Sequence, residues 1–225
     1  EAQAWASFAQ VREHTFRWTT ANPVGHSIPM GGQKFADLVA QKSGGKMQVK
    51  LFPGAELIDR FVYGIPELNR NAIGKATAVS AAGCYATAAI LALKPLVDAG
   101  LVKPESLIVN AATGVSGAGR EAKEATGFCT VTESFSAYGL INHRHTAEME
   151  MALKGTVLFT PHLVPMSRGI LATCYGEAAG PGDPLEALRS AYSAEPFVHV
   201  IADPPATKWV SGSNAVQVTA RRDER

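Results

Sequence analysis

The run from Val79 to Leu93, Val-Ser-Ala-Ala-Gly-Cys-Tyr-Ala-Thr-Ala-Ala-Ile-Leu-Ala-Leu, constrains this chain more than any other stretch. A short apolar strand ends, a glycine turns the chain, and Cys84 stands where a helix begins. The first N–H groups of a helix lack intrahelical partners and carry partial positive charge, which favours a thiolate over a thiol. A thiolate held there is a nucleophile for acyl chemistry. The second feature that bears on chemistry is the triplet His143-Arg144-His145.

The chain is long enough for one large domain or two small ones, and its apolar fraction of 46% can fill a sizeable core. Net charge is +1 and the basic residues are scattered, so electrostatics give no case for nucleic acid or an anionic membrane. The terminal run Arg221 to Arg225 reads as a solvated tail. Cys84, Cys129 and Cys174 form an odd, widely spaced set without a CxxC, which fits reduced thiols in a cytoplasmic setting better than a disulfide framework. No run of about 18 apolar residues is present to span a bilayer. The opening Glu-Ala-Gln-Ala-Trp-Ala could be a remnant of an export-signal cleavage region, but no basic and apolar stretch precedes it. The histidines offer no HExxH or comparable spacing, so no metal is expected.

The first quarter reads as strand, helix, strand. His14 to Thr20 alternates around Phe16 and Trp18, and Pro23 to Gly32 reads as a turn-rich connection. Lys34 to Lys42 carries Phe35, Leu38 and Val39 on one helical face, and Ser43-Gly44-Gly45 stops it. Lys46 to Phe52 alternates again before Pro53-Gly54. The stretches His14-Thr-Phe-Arg-Trp-Thr-Thr-Ala21, His26, Lys34-Phe-Ala-Asp-Leu-Val39 and Lys42-Ser-Gly-Gly-Lys-Met-Gln-Val-Lys-Leu-Phe-Pro-Gly54 carry a resemblance over residues 12–57. They resemble the N-terminus of the solute-binding proteins of tripartite ATP-independent periplasmic (TRAP) transporters. That resemblance implies an organic-acid binder of the periplasm, without the second lobe that closes on the ligand.

From about residue 55 the pattern changes. Short strands are expected at Thr77–Val79, Ser106–Asn110, Phe128–Glu133, Thr156–Thr160, Gly169–Tyr175, Phe197–Ile201 and Asn214–Thr219. Tyr85 to Ala99 reads as a helix with Ile90, Leu91, Leu93 and Leu96 inward, stopped by Gly100. Thr146 is expected to cap a helix through Met151, and Asp183-Pro184 to open another, with Glu186 placed for a capping box. Cys129 and Cys174 fall in strands and read as core. Strands outnumber helices, which points to an α+β fold with a mixed, largely antiparallel sheet and helices on one face.

Five motifs follow in order: Tyr63-Gly-Ile-Pro-Glu-Leu-Asn-Arg70, Gly83-Cys-Tyr-Ala-Thr-Ala88, Thr113-Gly-Val-Ser-Gly-Ala-Gly-Arg120, His143-Arg-His-Thr-Ala-Glu148 and Phe159-Thr-Pro-His-Leu-Val-Pro-Met-Ser-Arg-Gly-Ile-Leu171. Together they resemble the catalytic domain of the N-acetyl-gamma-glutamyl-phosphate reductases of arginine biosynthesis, over about residues 56–222. The resemblance implies a glyceraldehyde-phosphate-dehydrogenase-like catalytic domain. It implies a cytoplasmic homo-oligomer that acts on a small acyl phosphate with NADP.

On this reading Cys84 attacks the acyl phosphate, expels phosphate and leaves a thioester, which a nicotinamide hydride reduces to the semialdehyde. A histidine titrates in the range a base needs. His143, 59 residues after Cys84, matches the family spacing for that base, with His145 the second candidate and a substrate contact. The Gly-rich loop is expected to let backbone N–H groups approach an anion. Ser116 and Gly117 are then assigned to the cofactor and Arg120 to the substrate, and Arg168 is a clamp for the substrate carboxylate. His162 reads as structural.

The chain departs from the family pattern. Ala81-Ala82-Gly83-Cys84-Tyr85-Ala86-Thr87 stands where the family has Asn-Pro-Gly-Cys-Tyr-Pro-Thr, and Ala147 replaces a proline. No Gly-rich dinucleotide turn follows an N-terminal strand, so the Rossmann domain that carries NADP is expected to be absent, together with the last helix. The expected organisation is a transporter-like segment 1–55 joined near Pro53-Gly-Ala-Glu-Leu57 to a reductase domain 56–225, with turnover impaired. The alternative is the periplasmic solute-binding component.

Overall fold

The fold was taken from a computed structural model, which describes residues 14–20, 27–53, 61–119, 121 and 123–223. The described residues form two compact units that divide between Ala82 and Gly83, with Gly119 and Glu121 belonging to the first. The junction expected at residues 54–57 lies outside the described residues.

In the first unit, β1 (His14–Thr20), α1 (Ser27–Lys42) and β2 (Met47–Pro53) make the expected β-α-β unit, its strands parallel from His14↔Met47 to Thr20↔Pro53. The helix begins seven residues earlier than Lys34, because Pro29, Gly31 and Gly32 fall near its start. Proline fits a first turn, where its missing N–H has no intrahelical use. Beyond it come β3 (Val62–Gly64), α2 (Pro66–Ile73) and β4 (Ala78–Ala81). All four strands are parallel, in the order β2-β1-β4-β3.

The second unit opens with α3 (Cys84–Asp98). Its buried residues Tyr85, Ala86, Ala89, Ile90, Leu93 and Leu96 recur at helical spacing and form one apolar face. The helix stops as expected: Gly100 takes φ 66° and Leu101 N–H reaches back to the Leu96 carbonyl at 2.9 Å. Then follow β5 (Leu107–Thr113), a single turn α4 (Phe128–Val131), β6 (Ser136–Ala137), α5 (His145–Leu153), β7 (Val157–Leu163), β8 (Ile170–Tyr175), α6 (Pro184–Ala191), β9 (Val198–Val200) and β10 (Val216–Val218).

The main sheet runs β6-β7-β5-β8, with β7 parallel to β5 and the two outer pairings antiparallel. The expected α+β architecture with a mixed sheet is therefore present. Strands β9 and β10 form a separate parallel pair.

Alternation sets the two faces of the main sheet. Leu107, Val109 and Ala111 of β5 and Val157, Phe159 and Pro161 of β7 are buried with Tyr85, Met149 and Leu153 of the helices. The opposite face carries a row Leu158–Ile108–Tyr175, then Thr160–Asn110–Thr173, then His162–Ala112–Leu171. Leu158, Ile108, Tyr175 and Leu171 are exposed there.

Three local expectations are corrected. Phe128 to Glu133 is a helical turn followed by a positive-φ glutamate rather than a strand, and Cys129 is exposed rather than core. Helix α5 begins one residue before Thr146, which does not cap it. Asp183 does cap α6, accepting the Leu185 N–H at 2.8 Å, but Glu186 pairs with Arg189 instead of reaching back.

Pro95 sits inside α3 and has no N–H to give the Leu91 carbonyl one turn earlier. The buried Tyr192 hydroxyl, just past α6, donates to that carbonyl at 2.6 Å. Tyr192→Phe is expected to destabilise the unit by about 1–3 kcal/mol in chemical denaturation, because a buried acceptor loses its donor. The same change in a Pro95→Ala background, where the helix supplies its own N–H, should cost measurably less.

Candidate active site

Cys84 is the first residue of α3, and Gly83 is its N-cap with extended backbone (φ −68°, ψ 147°). No side chain caps this end. The turn is held from the far side instead: the Gly83 N–H donates to Glu148 Oε2 at 2.8 Å across 65 residues of sequence. Glu148 lies on α5, one turn after His145, and its other oxygen is 4.0 Å from His145 Nε2.

Gly83 also has to be glycine for space. A β-carbon there would stand 2.4 Å from His145 Nε2, and that ring is buried and cannot withdraw freely. The cysteine turn and the first turn of α5 are thereby locked face to face.

The sulfur is exposed, yet the protein atoms around it displace enough water to raise the thiol pKa above that of an ordinary cysteine. The backbone N–H groups of Tyr85 and of Cys84 itself pull the other way, as does the Arg144 guanidinium, while the Glu148 carboxylate adds to the rise. The helix-terminus field anticipated from sequence is there, but desolvation outweighs it. Cys174 is half-buried, and desolvation pushes its thiol up to about 12.

The two histidines differ in their bonding. His143 Nδ1 accepts the His145 N–H at 3.2 Å, and the His143 carbonyl accepts the Thr146 N–H at 3.0 Å, so His143, just before the N-cap Arg144, satisfies the first two N–H groups of α5. With Nδ1 accepting, the proton of a neutral His143 is assigned to Nε2. Its ring sits among Tyr85, Tyr138, Phe159 and His145, with centroids 4.8–5.8 Å away. His145 is buried, and its Nδ1 has no hydrogen-bond partner among the described residues. Burial first, then the neighbouring positive charge of Arg144, holds the His145 pKa down at about 4; burial and then His145 and Arg144 do the same for His143, also about 4. Both imidazoles are neutral at pH 7.

A tyrosine relay ties this cluster to the sheet. Tyr138 hydroxyl donates to Tyr85 hydroxyl at 3.0 Å, and Tyr85 hydroxyl donates to the His162 carbonyl at 3.1 Å. Burial raises both phenol pKa values, so neither is an anion at neutral pH. Sequence reasoning missed Glu148, Tyr85 and Tyr138 as members of the site. The first two lie inside quoted motifs, at a helical i+3 step from His145 and beside Cys84.

The Gly-rich loop is not an open amide cradle. Gly114, Val115 and Ser116 donate their N–H groups to the carbonyls of Gly169, Met166 and Ser167 at 2.9–3.1 Å, and Gly117 donates to Gly114. Gly114 permits this because a β-carbon there would fall 2.6 Å from the Arg168 nitrogen. The loop therefore zips onto the segment carrying Arg168, whose side chain is exposed. Arg120 lies outside the described residues.

Beside the cysteine a cavity of about 1010 Å³ is lined by Cys84, Thr87, Ser116 and Gly117 together with Leu91 and Cys174. The structure thus brings Cys84, Ser116 and Gly117 onto one cavity. His143, His145 and Arg168 are not in its lining: the histidines pack on Gly83 and Tyr85 instead. Among the described residues no group of three or more His, Cys, Asp or Glu side chains could hold a metal ion. None of their helices is long and apolar enough to cross a membrane.

Comparison with known proteins bears on this arrangement. The family model of the semialdehyde dehydrogenase dimerisation domain matches residues 84–225. The N-acetyl-gamma-glutamyl-phosphate reductase of Moorella thermoacetica is 44% identical over 181 residues, covering 76% of this chain and 52% of that protein. The enzyme of the same name from Halorhodospira halophila is 46% identical over 172 residues, 72% of this chain and 50% of that protein. The chain spans about half the length of the curated relatives it matches. Among solved structures, aspartate semialdehyde dehydrogenase II from Vibrio cholerae superposes with a TM-score of 0.63 at 18% identity, over 96% of this chain and 71% of that one. A probable aspartate-semialdehyde dehydrogenase from Pseudomonas aeruginosa gives 0.61 at 17%, with the same coverage. At such identities the likeness concerns the fold.

Two outcomes follow from this geometry. In the unfolded chain the two imidazoles take up protons near 6.5, in the folded chain only near 4. Below 6.5 the unfolded state binds more protons, so the thermal midpoint should fall as pH drops from 6.5 towards 4, and His145→Gln should flatten that fall. Gly83→Ala, which drives a methyl into the buried ring, should cost about 1–3 kcal/mol in denaturant titration.

Proposed function

Because the chain belongs to the semialdehyde dehydrogenase family through its dimerisation domain, we propose that it performs the thiol chemistry of an N-acetyl-gamma-glutamyl-phosphate reductase. The observation that carries this reading is Cys84 at a helix start, exposed, with a ligand-sized cavity beside it and two neutral imidazoles packed on its chain neighbours Gly83 and Tyr85. The names of the relatives support it over periplasmic solute binding. For residues 1–55 we keep the transporter-like reading as a proposal about lineage alone, and the remainder as the reductase domain.

Cys84 Sγ attacks the carbonyl carbon of the acyl phosphate. The C–O bond to phosphate breaks, phosphate leaves with the bonding electrons, and the thiol proton ends on the phosphate. A thiol pKa above the ordinary makes that proton transfer necessary rather than optional, because little thiolate exists beforehand. His143 is our proposal for the acid–base group, with the buried His145 supporting the turn rather than contacting substrate. In its present tautomer the Nε2 proton is available for donation to the developing oxyanion. Arg168, exposed on the zipped loop, is assigned to a substrate carboxylate.

The cavity beside Cys84 combines apolar walls at Leu91 with hydroxyl and glycine positions at Thr87, Ser116 and Gly117, a size and lining that fit the nicotinamide end of NADP. Ser116 and Gly117 are the residues that would hold it, and bound there it supplies the hydride that turns the thioester into the semialdehyde. We assign the protein to the cytoplasm. Its assembly is proposed as a homodimer through the exposed apolar face of the main sheet, around Leu158, Ile108 and Tyr175.

The acylation half-reaction tests the central claim without any cofactor. Mixed with N-acetyl-glutamyl phosphate, the chain should release phosphate in a single turnover and gain one acyl mass on Cys84. Cys84→Ser should slow that release by at least about 10³-fold while leaving the circular dichroism unchanged. Equal acylation of Cys129, or release unaffected by the substitution, would remove Cys84 from the mechanism.

A further inference from the structure

We propose that the segment from Thr132 to Asn142 belongs to the surface on which a second copy of this chain docks, so that assembly braces the His143 side of the cysteine site. The inference rests on the homodimer reading above and extends the interface past the edge of the sheet.

Continuity is the first argument. Within this segment β6 pairs with β7 at Ser136↔Leu163 and Ala137↔His162. The His162 side chain stands on the outer face, in the row with Ala112 and Leu171. The Phe135 ring lies 5.2 Å from the His162 ring. The outer sheet face therefore runs on to the segment through the row of His162, Ala112 and Leu171.

The composition of the segment is the second. Residues 134–142 carry no charged side chain. Phe135, Leu140 and Ile141 are 67%, 58% and 86% exposed. A patch of this kind, within a domain whose family model is a dimerisation domain and beside the sheet face proposed above, is what a self-complementary interface needs at its core.

Backbone strain points the same way. Ile141 has φ 69°, a left-handed conformation that opposes a β-branched side chain and that glycine or asparagine takes at little cost. Glu133, near the other end of the segment, has φ 57°. The fold accepts this cost and holds an isoleucine outward into solvent, where within one chain it gains nothing.

The segment also carries part of the site. Tyr138 donates to Tyr85, which adjoins Cys84, and the Tyr138 ring is 5.8 Å from the ring of His143. Gly139 abuts His143, since a β-carbon there would come within 3.2 Å of the imidazole Cδ2. A partner pressed against Phe135, Leu140 and Ile141 therefore fixes the group that positions His143.

The test compares two surfaces in the full chain by sedimentation across a concentration series, with Cys84 alkylation by iodoacetamide read by intact mass in a Cys129→Ser background. Ile141→Asn relieves the strain and removes the apolar anchor. It should weaken dimerisation at least about tenfold without lowering the thermal midpoint of the dilute protein, and Phe135→Ser should weaken it likewise. The Cys84 rate should rise with protein concentration, with its midpoint at the dimer dissociation constant, and that midpoint should move with Ile141→Asn. If Tyr175→Asp dissolves the dimer while Ile141→Asn and Phe135→Ser leave it within twofold, the segment is not interface, although the dimer reading stands. A chain that is monomeric at every concentration overturns both readings. An alkylation rate that is flat across the dissociation constant overturns the bracing.

Discussion

The hydrogen bond from the Gly83 amide to the Glu148 carboxylate is the contact on which the rest of the site depends. It joins the start of α3 to the first turn of α5, and at that junction His145 packs on Gly83 and both imidazoles pack on Tyr85, the residues either side of Cys84. A carboxylate next to a helix N-terminus is favoured by the helix dipole, and this one makes a charge-assisted bond as well. Its negative charge nevertheless opposes ionisation of the neighbouring sulfur, and Arg144 offsets it. The same group that fixes the turn carrying Cys84 thus disfavours its thiolate.

That balance explains why both imidazoles are kept neutral. A protonated imidazole against Gly83 would stabilise a thiolate, but it would have to be charged inside a buried aromatic cluster, and desolvation prevents this. At neutral pH the protons instead sit on the thiol and on His143 Nε2. A thiol with a raised pKa presents little thiolate to adventitious electrophiles.

Much of the scaffold was legible because its signals are local. The apolar spacing along α3, its Gly100 stop, the Asp183 cap and the alternation in β5 and β7 each lie within a few residues of the structure they specify. What was hidden depends on partners far away in sequence. The amides of Gly114 to Ser116 look like an anion cradle until the carbonyls of Met166 to Gly169, some fifty residues on, consume them. His143, one residue before the N-cap, accepts the first N–H of α5 on a ring nitrogen, a role that no side-chain propensity announces. Cys129 reads as core from its apolar neighbours, but Gly127 and the positive φ of Glu133 shorten the segment to one exposed turn. At the site, Cys84 and the histidines were visible as residue types, whereas Glu148 and Tyr138 gain meaning only from the contacts that tertiary folding creates.

Pro95 and Tyr192 carry a consequence for how this sequence can vary over time. The imino acid strands a carbonyl, and a phenol almost a hundred positions later silences it. Losing the phenol first exposes the defect, whereas losing the imino acid first leaves the phenol merely redundant. Descendants can therefore exchange the two only in one order, a ratchet written into a single helical turn.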